Sequence, residues 1–205
     1  MRPAWMFILS ALLAFATAVF GQAAKSGTPS AASQAQPSQQ PVATLASMVD
    51  RQVASMEKQI IDVAEAMAEE KFNFTPESLN IAGGDYKGVR SFAVQVKHVA
   101  ASNYFIWSAV TGDKLPEGLK DGNGPVDLKT KADILKFLKD SFALGHKAAA
   151  TLTPENMLQA VGNGQSLRLQ RVEFGIIHAS DHYGQMVEYL RMNGVVPPAS
   201  RAQSD

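Results

Sequence analysis

Two histidines four residues apart, His178 and His182, are the residues of this 205-residue chain best placed to do chemistry. On a helix, positions i and i+4 lie one turn above the other, with Cβ atoms roughly 6 Å apart, so both imidazoles can reach one divalent ion. The segment around them is predicted to be helical until Asn193-Gly194, which supplies a residue able to take the left-handed cap conformation, and Pro197-Pro198, which cannot continue the ladder. A third ligand must come from elsewhere. The chain has no cysteine, which excludes disulfides, thiolate metal sites, c-type haem attachment and lipoprotein acylation. The ligand types left are His, Asp and Glu.

Beside the histidine pair stand two side chains to consider for catalysis, Asp181 and Gln185. Asp181 is the one carboxylate next to a ligand position, pointing roughly 100° away from His182 on the helix. It reads first as a solvated surface Asp, and second as a base or as a residue acting through a neighbour. Gln185 suits a substrate contact or a polar groove. Gly175 and Gly184 are expected to permit close backbone approach. Of the remaining histidines, His98 alone on an apolar helix face would read as a core residue, and His146 at the edge of an apolar line is expected not to be a ligand.

The elements that must position these residues are helices. Leu45, Val49, Val53, Met56, Ile60, Val63 and Met67 recur at spacings of three and four and define the first. Residues 72–88, with Pro76 and Gly83-Gly84, break the period and form a connection long enough to wall a pocket. The second helix is predicted over 89–110. It carries one stripe of Phe92, Val96, Val99, Asn103, Ile106 and Val110 and another of Val94, His98, Ala101 and Phe105, so it is apolar on two faces. Residues 111–129 hold no strand pattern, and a connection of that length can return the chain along the bundle, so that the third helix starts parallel to the second. That helix opens at a Thr130/Asp133 capping box and buries Ile134, Leu138, Phe142, Gly145 and Ala149. After a loop over 151–165, the fourth helix runs over 166–193, packing through Leu169, Val172, Ile176, Ala179, Tyr183, Val187 and Leu190. The histidines form a neighbouring line, roughly 120° from that stripe, which places their site at the flank of the bundle. The expected class is all-α with no strand.

Met1-Arg2 and the apolar run over 5–20 read as the charged and hydrophobic regions of a secretory signal peptide, assigned to residues 1–24. A run of 16 residues is short against the roughly 20 that span a bilayer, so cleavage and export, with a periplasmic location, are expected over an uncleaved anchor. Residues 25–43, mostly Ala, Ser, Gln and Pro, are a disordered linker, 44–200 the folded domain and 201–205 a tail. Formal net charge is zero, and without Arg2 and Lys25 the chain has 17 basic residues against 19 acidic, which gives no reason to expect nucleic acid as a partner.

Arg90-Ser91-Phe92 through His98-Val-Ala-Ala-Ser-Asn-Tyr104, together with His178-x-x-x-His182-x-Gly184-Gln185 through Tyr189-Leu-Arg-x-Asn-Gly194-x-x-Pro-Pro198, resemble the DinB/YfiT-like family over about residues 45–200. The resemblance implies a four-helix bundle of up-down-down-up topology and a metal site of His98, His178 and His182. It further implies a homodimer, and an activity of the metal-dependent thiol-transferase or hydrolase type on a small molecule. Where many members carry a further His beside the last ligand, this chain has Asp181 and Tyr183. Three neutral imidazoles leave an ion with an open position, as catalytic sites do, and suit zinc, nickel or iron. The alternative is an exported metal-binding or stress-related protein without turnover. A haem bundle with Met/His ligation fits less well, because the eight Met residues are accounted for as core filler and initiator. Export carries its own expected outcome: N-terminal sequencing of protein from its native host gives a first residue between Val19 and Lys25, and an intact Met1 refutes cleavage.

Overall fold

Thr44 starts the first helix by a reciprocal cap: its hydroxyl accepts from the Ser47 N–H at 3.1 Å, and the Ser47 hydroxyl accepts from the Thr44 N–H at 2.9 Å. The computed structural model describes residues 42–119 and 121–202. The expected signal peptide, nearly all of the linker and the end of the tail lie outside the described residues. Four long helices follow in order, α1 (Leu45–Ala66), α2 (Phe92–Thr111), α3 (Lys131–Ala150) and α4 (Arg168–Met192). A two-stranded antiparallel ribbon, β1 (Ala160–Val161) and β2 (Ser166–Leu167), pairs Ala160 with Leu167 and Val161 with Ser166. This ribbon corrects the strand-free expectation. Its residues are too few to show a period of two, and the hairpin turn is made by Gly162-Asn163-Gly164-Gln165.

The helix pairs in extensive contact are α2 with α3, α2 with α4, α1 with α3 and α1 with α4. The predicted line of α1 from Val49 to Met67 is buried, as is the stripe of α2 from Phe92 to Val110 and that of α3 from Ile134 to Ala149. The second face of α2 is not a uniform apolar surface. Ala101 is fully buried, His98 and Val94 are half-buried, and Phe105 is 38 % exposed. The segment 72–88 has a part at the start of α2. It caps α2: the Phe74 carbonyl accepts from the Phe92 N–H at 2.9 Å and the Phe72 carbonyl from the Ala93 N–H at 2.8 Å. Phe72 meets Phe92 edge-on, with ring centroids 5.4 Å apart.

At its other end α2 is tied to α4. Arg168 donates to the Val110 carbonyl, an acceptor that the last turn leaves open, and Arg171 donates to the Ile106 carbonyl, both at 3.2 Å. Between these ends Trp107 is fully buried and donates its indole N–H to the Val172 carbonyl at 3.2 Å. Its ring lies against two glycines: a Cβ on Gly175 would sit 2.5 Å from it and a Cβ on Gly145 2.6 Å. Gly175 thus permits the close approach expected of it, whereas nothing lies within 4 Å of a Cβ at Gly184. The buried face of α4 is accordingly Val172, Gly175, Ala179, His182, Met186, Tyr189 and Leu190. Of the predicted stripe, Val172, Ala179 and Leu190 are fully buried and Leu169, Ile176, Tyr183 and Val187 pack partly buried against the core, so the buried face is wider than predicted and reaches the histidine line. The indole draws the Gly175 side of α4 inward, so the buried arc turns toward the histidines. The two glycines therefore predict substitutions of opposite sign. Gly175→Ala is expected to destabilise the protein by about 1–3 kcal/mol through overpacking, and Gly184→Ala to stabilise it by roughly 0.5–1 kcal/mol. Urea denaturation of both variants checks this, and a neutral Gly175→Ala refutes the packing argument.

Candidate metal centre

His98 lies in the first half of α2, and His178 and His182 flank the midpoint of α4. The structure brings all three together. One ring nitrogen from each lies within 4.8 Å of the others, an arrangement able to hold a metal ion. Ring centroids are 4.5 Å apart for His178 and His182, 4.6 Å for His98 and His182, and 5.2 Å for His98 and His178. His182 is buried at 7 % exposure, and the other two are half-buried, which keeps the cluster at the flank of the bundle.

Each ring is oriented by what its nitrogens touch. His98 Nδ1 is 2.6 Å from the Gly122 carbonyl, which can only accept, so the proton is on Nδ1 and the Nε2 lone pair is free. Gly122 sits at φ +71°, a conformation open to glycine, in the long α2–α3 connection. That connection is held against α2 twice more: Lys97 Nζ donates to the Pro125 carbonyl at 3.0 Å, and Arg90 Nε to Asn123 Oδ1 at 2.9 Å. His182 Nε2 faces His178 Nε2 at 3.2 Å, and its Nδ1 is 2.6 Å from Gln95 Nε2. His178 Nδ1 is buried without a hydrogen-bond partner. At the end of α4 the Tyr189 hydroxyl donates to the Arg90 carbonyl at 2.7 Å, fixing α4 against the start of α2 beside the triad.

The three imidazoles are held neutral. Burial lowers the pKa of each, and for His178 and His182 the neighbouring imidazoles and Arg90 lower it further against the opposing pull of Asp181. His182 is taken down to about 4. For His98 burial outweighs the Gly122 hydrogen bond, and Arg90 adds to the lowering. Neutral rings keep their lone pairs for a cation, so the donor set fits a divalent ion bound by imidazole nitrogen.

The two catalytic candidates are near but not in this cluster. Asp181 is exposed and accepts from Gln185 Nε2 at 3.0 Å, while Gln185 Oε1 accepts from Gln95 Nε2 at 2.6 Å. Gln95, buried at 2 % exposure, is the polar residue that the sequence reading missed. Its position three residues before His98, on the same helix face, was the available signal. Trp107 is buried and Tyr104 packs against the Phe137 ring at 5.2 Å, whereas Phe105 is exposed.

The DinB superfamily profile matches residues 14–186, and the chain belongs to that superfamily. The match takes in His98, His178 and His182 and stops short of Tyr189 and the Asn193 to Pro198 end. Among curated proteins none matches the chain. No helix of the described residues is long and apolar enough to cross a membrane.

His146 lies outside the cluster. Its Nδ1 is 2.6 Å from Asp50 Oδ1 and its Nε2 3.0 Å from Glu57 Oε2, so it bridges α3 to α1. Burial disfavours its charged form, but the bonds to Glu57 and Asp50 outweigh that, and its pKa is raised. A raised folded-state pKa means stability present in full below the unfolded value of 6.5 and lost as pH rises through the folded value. His146→Gln is therefore expected to cost more stability at pH 5.5 than at pH 8.5. Equal costs at the two pH values, read from thermal melts, refute the ion-pair reading.

Proposed function

We propose that His98, His178 and His182 bind one divalent metal ion, zinc, nickel or iron, through their Nε2 atoms, and that the protein is a metal-dependent enzyme of the hydrolase or thiol-transferase type. The observation that carries this is the meeting of three neutral imidazoles with no carboxylate among them, a set that leaves a metal position open. A divalent ion bound there supplies a Lewis acid that lowers the pKa of a bound water or thiol. The chain's own part is to keep the three imidazoles neutral, to hold His98 by the Gly122 carbonyl, and to shield His182 from solvent.

We further propose that the bundle runs up-down-down-up. Lys131 at the start of α3 donates to the Glu65 and Met67 carbonyls at the end of α1, which supports antiparallel α1 and α3. Asn103 on α2 meets Ser141 on α3, and Trp107, one turn on, meets Gly145, one turn on, which supports parallel α2 and α3. Export after signal cleavage and a homodimer belong to the same reading, the first from the residues over 5–20 and the second from the family resemblance.

The alternative, a metal-binding protein without turnover, is favoured by one observation. Asp181 and Gln185 are bonded to each other at 3.0 Å, and among the described residues neither contacts a triad nitrogen. Calorimetric titration with zinc and with nickel tests the site. His98→Ala, His178→Ala and His182→Ala are each expected to lose affinity severely, and His146→Ala to retain it. If His146→Ala loses metal as His178→Ala does, or His98→Ala binds as wild type, the assigned triad is wrong. Acid release offers a second check. An unperturbed triad would yield its metal as pH falls below about 6, whereas the lowered pKa values predict retention to lower pH.

A further inference from the structure

Proton placement in the triad follows from its hydrogen bonds. The Gln95 amide N–H donates to His182 Nδ1, so that nitrogen carries a lone pair and, in a neutral ring, the proton is on Nε2. His182 Nε2–H then donates to His178 Nε2 at 3.2 Å, which leaves the His178 proton on Nδ1, the buried atom without a partner. A directed chain results, from Gln95 through His182 to His178. Two of the three rings, His98 and His178, are in the tautomer that presents Nε2 as a ligand. His182 is in the other.

We infer that Gln95 is the positioning residue of the metal site and that its side-chain amide turns over when metal binds, so that Gln95 Oε1 accepts from His182 Nδ1–H. The proton of His182 has to leave Nε2 for that atom to coordinate, and a proton on Nδ1 meets the Gln95 NH2 group unless the amide rotates. Rotation exchanges oxygen for nitrogen with almost no change of shape, which a fully packed position tolerates. It also brings Gln95 Oε1 toward Gln185 Oε1, now 2.6 Å from Gln95 Nε2. Gln185 therefore turns with it, offering its NH2 to Gln95 and releasing the exposed Asp181 carboxylate to water. Second partners of metal-bound imidazoles commonly change metal affinity by about 10–100-fold when removed. The inference rests on the proposed metal site and assigns it a residue and a conformational step.

Long-range proton–nitrogen NMR of the full chain, with zinc as the probe, reads the tautomers directly. The expected result is Nε2–H at His182 without zinc and Nδ1–H with it, with His98 at Nδ1–H in both. Gln95→Glu, a permanent acceptor, is expected to bind zinc within threefold of wild type or more tightly. Gln95→Leu and Gln95→Met are expected to bind it at least about tenfold more weakly at wild-type helicity. Equal losses in the Glu and Leu variants, unchanged affinity in all three, or Nδ1–H at His182 without zinc overturn the inference. Wild-type protein that binds no zinc or nickel overturns the metal site itself, whatever the tautomer found.

Discussion

Contact between α2 and α4 is the constraint on which the rest of the structure depends. Trp107 sets it at one end, its indole laid against the bare backbone of Gly175 and bonded to the Val172 carbonyl. Tyr189 sets it at the other, through the Arg90 carbonyl. The triad lies between these two fixed points, with one ligand on α2 and two on α4. Close packing in the core is what makes that spacing reproducible, because a methyl group added at Gly175 has nowhere to go. Core packing joins these helices in addition to any link made through the histidines.

A bundle that buries three imidazoles near one point has an electrostatic problem, since imidazolium ions at ring separations of 4.5–5.2 Å repel one another. The solution here is neutrality. Burial and Arg90 both act against the charged forms, and the nearest carboxylate, Asp181, is turned outward to solvent and engaged by Gln185. His146 shows the opposite outcome for the same residue type. It is also partly buried, but Asp50 and Glu57 face its two ring nitrogens, so it is held toward the charged state and joins α1 to α3. Burial acts to lower the pKa of all four histidines, and at His146 the two facing carboxylates reverse it.

The long α2–α3 connection gains a role from the same geometry. Gly122 presents a backbone carbonyl to His98, and the flanking residues bond to Lys97 and Arg90, so this segment belongs to the site although, among the described residues, none of its side chains is in the ligand cluster. Backbone acceptors of this kind fix an imidazole tautomer without adding charge. On the α4 side the equivalent partner is a side-chain amide, Gln95, which can present either a donor or an acceptor.

The sequence by itself determined the four helices, because apolar residues at spacings of three and four, with Thr130 and Asn193-Gly194 as start and stop, are local signals. It also determined the His178/His182 pair, which one helical turn brings together whatever the tertiary fold. The inclusion of His98 came from family likeness, since no spacing along a chain relates residues on different helices. Tertiary structure alone decided which arc of α4 is buried. The wheel counted large apolar side chains and chose Ile176, Tyr183 and Val187, whereas Trp107 enters at Gly175 and turns the buried face toward His182. It alone showed Gln95, Gly122 and the two carboxylates at His146, because a hydrogen bond between residues 24 to 96 positions apart leaves no periodic trace in the sequence. Helix formation depends on neighbours in the chain, but protonation and tautomer depend on neighbours in space.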